Sequence, residues 1–141
     1  AMIPDAKLPA EELIACFNES QDCVKIIDTD ATILSFNDNG YKVMEIDNPR
    51  DVLGKDWLGF WTDDMNEPAR AAFAKACSGH IGYFEGECPT MKGSKRWWQV
   101  TIVPLKDNYG DINWLLAISR DVTDLYDLRK EVAALKQRAK S

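Results

Sequence analysis

In this 141-residue chain the residue types that perform chemistry are few and poorly placed for it. His80 is the one histidine. It follows Gly79, has no serine and acid arranged around it, and reads as a plain surface residue rather than part of a catalytic triad. The four cysteines, Cys16, Cys23, Cys77 and Cys88, form no CxxC pair and have no histidine neighbour. That spacing fits neither a zinc site nor a disulfide framework, and small buried thiols of a reducing compartment are the expectation. Carboxylates are plentiful: Asp63-Asp64 sits in a loop, and Glu85 and Glu87 share one strand face. Solvated acids on turns and edges account for them, and no glycine-rich phosphate loop accompanies them. No catalytic residue and no metal ligand are assigned.

The aromatic residues carry more. The five tryptophans are Trp57, Trp61, Trp97, Trp98 and Trp114. Trp57, Phe60 and Trp61 cluster in an irregular segment and can roof a pocket, with Phe73 and Phe84 as walls. Adjacent Trp97 and Trp98 must point to opposite faces of a strand, so one of them, taken as Trp98, lines the covered interior. The outward one, with Trp114 or a neighbour, suits covering by an N-terminal helix or a partner chain. Core filling explains the same aromatics without any ligand, and both readings stand. Lys92, Lys95 and Arg96 beside Trp97-Trp98 imitate a nucleic-acid platform. The residues before Asp124, however, carry 12 bases against 20 acids, a net of −8 within a chain total of −6. Such a body repels phosphate backbones and anionic membrane surfaces, so neither partner is expected.

The elements that must position these residues follow from pattern. Hydrophobic residues make up 45% and charged ones 28%, a globular mixture in which one domain plus a short extension is the natural count. Pro9 near a first turn, with Leu13, Ile14 and Phe17 on one face, predicts a short amphipathic helix from Leu8 to about Asn18. Cys23–Asp28 and Thr32–Phe36 read as a strand pair joined by the turn chemistry of Asp28-Thr-Asp-Ala31. Asn37-Asp-Asn-Gly40 offers caps for a short helix carrying Tyr41, Val43, Met44 and Ile46, and residues 47–64 are irregular. Asn66–Cys77 predicts a firmer, alanine-rich helix closed by Ser78-Gly79. Gly82–Pro89, Arg96–Leu105 and Ile112–Ser119 are strands, the last apolar on both faces, which requires something to cover the second side of the sheet. The order indicates an α+β domain on an antiparallel sheet.

The tail has its own pattern. Leu125, Leu128, Val132, Leu135 and Ala139 are spaced 3, 4, 3, 4, heptad spacing with Leu125 at position a, Glu131 at g and Lys136 at the following e. A parallel two-stranded coiled coil is expected, with an ordinary terminal helix docked on its own sheet as the competing arrangement. No apolar run approaches the ~20 residues a membrane span needs, and the N-terminus lacks a signal-peptide pattern, so a cytoplasmic chain is the expectation.

Specific strings then point to a family. Val52-Leu-Gly-Lys-Asp-Trp-Leu-Gly-Phe-Trp61 is similar to the G-x-x-W-x-x-F-W segment of a bacterial sensory-box subgroup. Phe84–Gly93 with Lys95–Val100 resembles its third and fourth strands, and Ser119-Arg-Asp-Val-Thr-Asp124 resembles its S-R-D-[IV]-T ending. Over residues 10–124 the chain resembles a PAS sensor domain. The resemblance implies a five-stranded antiparallel sheet with short helices on one face, enclosing a pocket for a small ligand (Trp57, Phe60, Trp61, Phe73, Phe84, Trp98). It implies a non-enzymatic sensor whose output module lies on the same polypeptide, with a two-component histidine kinase as the expected host. Residues 1–21 are then a flanking helix, 22–123 the PAS body and 124–141 a signalling helix. The Asp-x-Thr element makes Asp121 and Thr123 a signalling junction. Thr123 is expected to cap the tail helix, and Asp121 to pair with a base of the body, Arg96 or Arg120. A homodimer through the flanking helices, using Leu125, Leu128, Val132 and Leu135, completes the reading.

No cofactor is named. Haem-binding members of the family take their ligand from a histidine within the long helix, and His80 lies past it. Covalent flavin chemistry needs a cysteine in the loop and helix after the second strand, and Asp56–Asp64 has none; neither group is expected. Two alternatives stay open, a pocket enzyme of the ketosteroid-isomerase type and a ligand-free PAS interaction module.

Overall fold

A computed structural model describes residues 10–140. Helix α1 (Ala10–Glu19) leads into strands β1 (Cys23–Asp28) and β2 (Ile33–Phe36). Between the strands, the Asp28 carboxylate accepts the backbone N–H groups of Asp30 and Thr32, each at 2.9 Å, the side-chain turn that the sequence promised there. Helix α2 (Asp38–Val43) follows. The irregular stretch resolves into three short 3-10 turns at Pro49–Asp51, Trp57–Phe60 and Asp63–Met65. Helix α3 (Asn66–Cys77), strands β3 (Gly82–Glu87), β4 (Trp97–Lys106) and β5 (Ile112–Asp121), and helix α4 (Thr123–Ala139) complete the chain. The start expected at Leu8 for the first helix lies outside the described residues.

The strands form one antiparallel sheet in the order β2-β1-β5-β4-β3, so the first and last strands are neighbours at its centre. Period-two alternation decides what faces inward. Cys23, Lys25 and Ile27 of β1, Leu115, Ala117 and Ser119 of β5, and Trp98, Val100 and Ile102 of β4 are all buried. The helices and 3-10 turns cover this face. Ala69, Ala72 and Ala76, buried at helical spacing, bring α3 against β3. The approach is so close that a Cβ on Gly82 would lie 2.1 Å from the Ala72 carbonyl oxygen.

Asn37 ties the N-terminal half together. Fully buried, it accepts from the N–H groups of Val24 and Gly40 at 2.9 Å each, capping α2. It also donates to the carbonyls of Phe17 at 2.9 Å and Asp22 at 3.0 Å, which anchors the end of α1.

Several expectations need correction. Within the described chain the outer sheet face is left open at Tyr83 and Trp114, which are 55% and 56% exposed. α1 does not close it: Leu13 and Ile14 point to solvent and only Phe17 is half-buried. Cys16, on that same uncovered helix, is exposed rather than a buried thiol, and Cys77 is half-buried. The second helix stops at Val43, because Glu45 takes a left-handed φ of 55° that ends the helical path before Ile46.

Candidate functional site

Between the sheet and the Trp57–Phe60 turn lies a small cavity, about 30 Å³ of space open to the centre of a water molecule. Small Cys23 and Ser119 of the sheet and Cys88 just after β3 line it together with the bulky Trp57, Phe60 and Trp61 of the roof. Trp98 forms part of its wall and donates its indole N–H to the Cys88 carbonyl at 2.9 Å. Phe84 stands behind the roof, edge-on to Trp61 with centroids at 4.8 Å and to Trp57 at 6.2 Å, and so holds the roof rather than lining the space. Phe73 does not line it. The buried stripe of α3 is made by Ala69, Ala72 and Ala76, and Phe73, one position round the helix, is only partly buried against the core. Of the residues expected at the pocket, Trp57, Phe60, Trp61 and Trp98 are therefore brought together there, Phe84 sits just behind, and Phe73 lies elsewhere.

The residue that sequence reasoning passed over is Lys25. It is 4% exposed, an uncommon position for a lysine without a carboxylate partner. Its Nζ donates to Ser119 Oγ at 2.9 Å, lies 3.3 Å from Cys23 Sγ and 3.4 Å from the Cys23 carbonyl, and sits 5.6 Å from the centroid of the Phe36 ring. The sheet register explains the set: Cys23 pairs with Ser119, and Lys25 pairs with Phe36 on its other side. A signal was available, since Lys25 shares the parity of inward-facing Cys23 and Ile27. Burial pushes the neighbouring Cys88 thiol up to about 11, with Lys25 pulling weakly the other way. Cys88 is thus a neutral thiol at neutral pH, and its Sγ lies 3.4 Å from the Phe60 carbonyl. The Trp61 indole N–H is buried without an acceptor. Among the described residues no cluster of histidine, cysteine and acid could hold a metal ion. His80 is exposed.

At the other surface of the sheet the tail helix is fastened. Trp97, one residue from the cavity-lining Trp98, points outward and stacks flat on Tyr126 of α4, with centroids 4.0 Å apart and planes 8° apart. The outward tryptophan is thus covered by its own chain's tail and not by α1. The Trp97 main chain binds the tail directly: its N–H donates to Thr123 Oγ1 at 2.9 Å and its carbonyl accepts the Val122 N–H at 2.8 Å. Asp121 accepts from the Thr123 N–H at 3.0 Å and hydroxyl at 2.5 Å, and its second oxygen pairs with Arg96 Nε at 3.3 Å. Arg120, the alternative base, pairs instead with Asp22 at 3.4 Å, because the register that sets Cys23 opposite Ser119 brings Asp22 opposite Arg120. Thr123 is not the cap that was expected. It is the first helical residue, Val122 holds the N-cap position without a side-chain cap bond, the Thr123 hydroxyl is drawn back to β4, and the Asp121 carboxylate accepts the first helical N–H. Apart from Tyr126, the tail is not docked along its own sheet: the seam residues Leu125, Leu128, Val132 and Leu135 are all exposed.

The PAS fold family model matches residues 17–127. The PAS domain of an HTR-like protein from Haloarcula marismortui superposes with a TM-score of 0.65 at 24% identity, over 79% of this chain and 90% of that one. A PAS domain from Colwellia psychrerythraea gives 0.70 at 16% identity, over 81% and 97%. An RNA-binding light-oxygen-voltage receptor gives 0.77 at 13% identity, over 96% of this chain and 41% of that one. At these identities the likeness is one of fold. No curated protein matches the sequence.

Proposed function

Because the chain belongs to the PAS fold family, we propose that it is the sensory module of a larger signalling protein, converting a change at the cavity into a change at the tail helix. One observation carries this reading. Trp98 and Trp97 are consecutive on β4, the first lining the cavity and the second carrying α4. A displacement of β4 by an occupant of the cavity moves the platform to which Thr123 and Tyr126 are bound, while Asp121 and Arg96 keep the last strand and the helix start in step.

The module itself is non-enzymatic in this reading. A pocket enzyme of the ketosteroid-isomerase type would need an acid inside the cavity, and the residues lining it include no carboxylate. The near-filled interior is the observation that favours the second reading, a ligand-free interaction module. In both, residues 22–123 form the body, and the exposed seam of 124–141 pairs with a second copy as a parallel coiled coil, with the open face of α1 adding to the interface. Similarity of the motifs to the sensory-box subgroup supports a two-component histidine kinase as the output module. No helix among the described residues is long and apolar enough to cross a membrane, and a cytoplasmic position is part of the proposal.

Sedimentation of the full chain and of a version ending at Asp124 tests the arrangement. A dimer that weakens sharply on truncation supports it. Equal association in both places the interface on the body and reduces the tail to a linker.

A further inference from the structure

We propose that the cavity beside Lys25 binds a small monovalent carboxylate, of the size of formate or acetate, held by the Lys25 ammonium and the Trp61 indole N–H. The inference deepens the sensory reading and rests on it.

Three observations define the ligand. The first is charge. Lys25 is buried among neutral groups, the Ser119 hydroxyl, the thiol and carbonyl of Cys23, and the face of the Phe36 ring. A buried charge without a counter-ion is costly, and none of the lining residues is acidic. Cys88 does not serve as that counter-ion, since burial keeps its thiol protonated. The second is an unmet donor: Trp61 lines the same space, and its indole N–H has no acceptor although the side chain is buried. An ammonium and an indole N–H are donors only, so the complementary group brings acceptor oxygens and one negative charge. The third is size. About 30 Å³ open to water centres excludes haem, flavin, nucleotides and long acyl chains and leaves an anion of a few heavy atoms. A dianion would bring one uncompensated charge into the interior, and a neutral amide would leave the ammonium unpaired.

The test is calorimetric titration of the full chain with sodium acetate, with acetamide and sodium chloride at matched ionic strength as comparisons, alongside tryptophan fluorescence. Acetate is expected to bind saturably and change the fluorescence, with acetamide and chloride weaker. Lys25→Met keeps the length and removes the charge, and should weaken acetate binding by more than about tenfold, a hydrogen bond to a charged group being worth at least about 1.4 kcal/mol. Trp61→Phe keeps a ring in the roof and should weaken it about three- to tenfold. Should Lys25→Met fail to fold, Trp61→Phe together with Ser119→Ala carries the test. Equal binding of acetate and acetamide, equal binding of chloride, or acetate affinity indifferent to these variants overturns the inference. Acetamide binding alone would overturn the charge assignment while leaving an occupied cavity, whereas failure of the sensory reading appears in the sedimentation comparison instead.

Discussion

Replacing Asp121 with alanine removes one carboxylate that serves two elements at once. Its Oδ1 accepts from the Thr123 N–H at 3.0 Å, a capping interaction of the kind worth about 0.5–2 kcal/mol. Its Oδ2 pairs with Arg96 at 3.3 Å, but the two side chains are 37% and 31% exposed, so solvent screening limits that pair to about 0–1 kcal/mol. The Trp97–Tyr126 stack survives the change and still contributes about 0.5–1.5 kcal/mol beyond its buried area. The cap and ion-pair ranges add to about 0.5–3 kcal/mol, centred at about 1–2 kcal/mol, felt at the junction and not through the core, since no residue of α4 is buried. By hydrogen exchange, amides 123–127 should exchange about 5- to 30-fold faster while the central strands keep their protection. The melting temperature should fall by only about 3–8 °C. Asp121→Asn retains an acceptor for the Thr123 N–H and should lie between the two. A double-mutant cycle with Thr123→Val should show coupling of at least about 0.5 kcal/mol. Unchanged exchange over 123–127, or an equal rise across β4 and β5, would refute the idea that Asp121 holds the helix start to the sheet.

Three further outcomes follow from the fold. Gly82→Ala places a Cβ 2.1 Å from a backbone oxygen that no rotamer change can move, and thermal unfolding should show a loss of about 3 kcal/mol or more; a loss below about 1 kcal/mol would mean α3 shifts freely. Asn37→Ala leaves two N–H groups and two carbonyls of the α1–β1–α2 junction without partners and should cost about 3–5 kcal/mol in denaturant titrations. The Ser94 and Thr90 hydroxyls donate to the Glu45 carboxylate and hold its carboxyl below its usual range. The ionised form is thus favoured by folding, so this contribution is complete above the ordinary glutamate range and is lost as pH falls through the lower folded value. Glu45→Gln should flatten the melting-temperature profile below about pH 4 relative to the unchanged chain, and parallel profiles would contradict it.

Much of this architecture was readable because it rests on short-range rules. Apolar runs, alternation and turn chemistry placed five strands, caps placed α2 and α3, and the alanine stripe of α3 announced a helix that packs closely. Parity alone sent Trp97 and Trp98 to opposite faces. The same parity sent Lys25 inward, but a lone lysine in an apolar strand carries no sign of its partners, and Phe73 looked as suitable a wall as Phe84 because both are merely large and apolar.

What the sequence by itself determined, then, is the inventory of elements, the opposite faces of Trp97 and Trp98, the acidic body, and the apolar seam of the tail, all of which depend on composition or on neighbours within a few residues. Only the tertiary structure decided who meets whom. Placing β1 beside β5 brings Ser119 to Lys25 across 94 positions of chain, sends Arg120 to Asp22, and leaves Arg96 for Asp121. The volume of the cavity, the uncovered face of α1 and the stacking of Tyr126 on Trp97 belong to the same class. They are residues of packing between distant segments, set by how the whole sheet closes against its helices, and no local pattern encodes that sum.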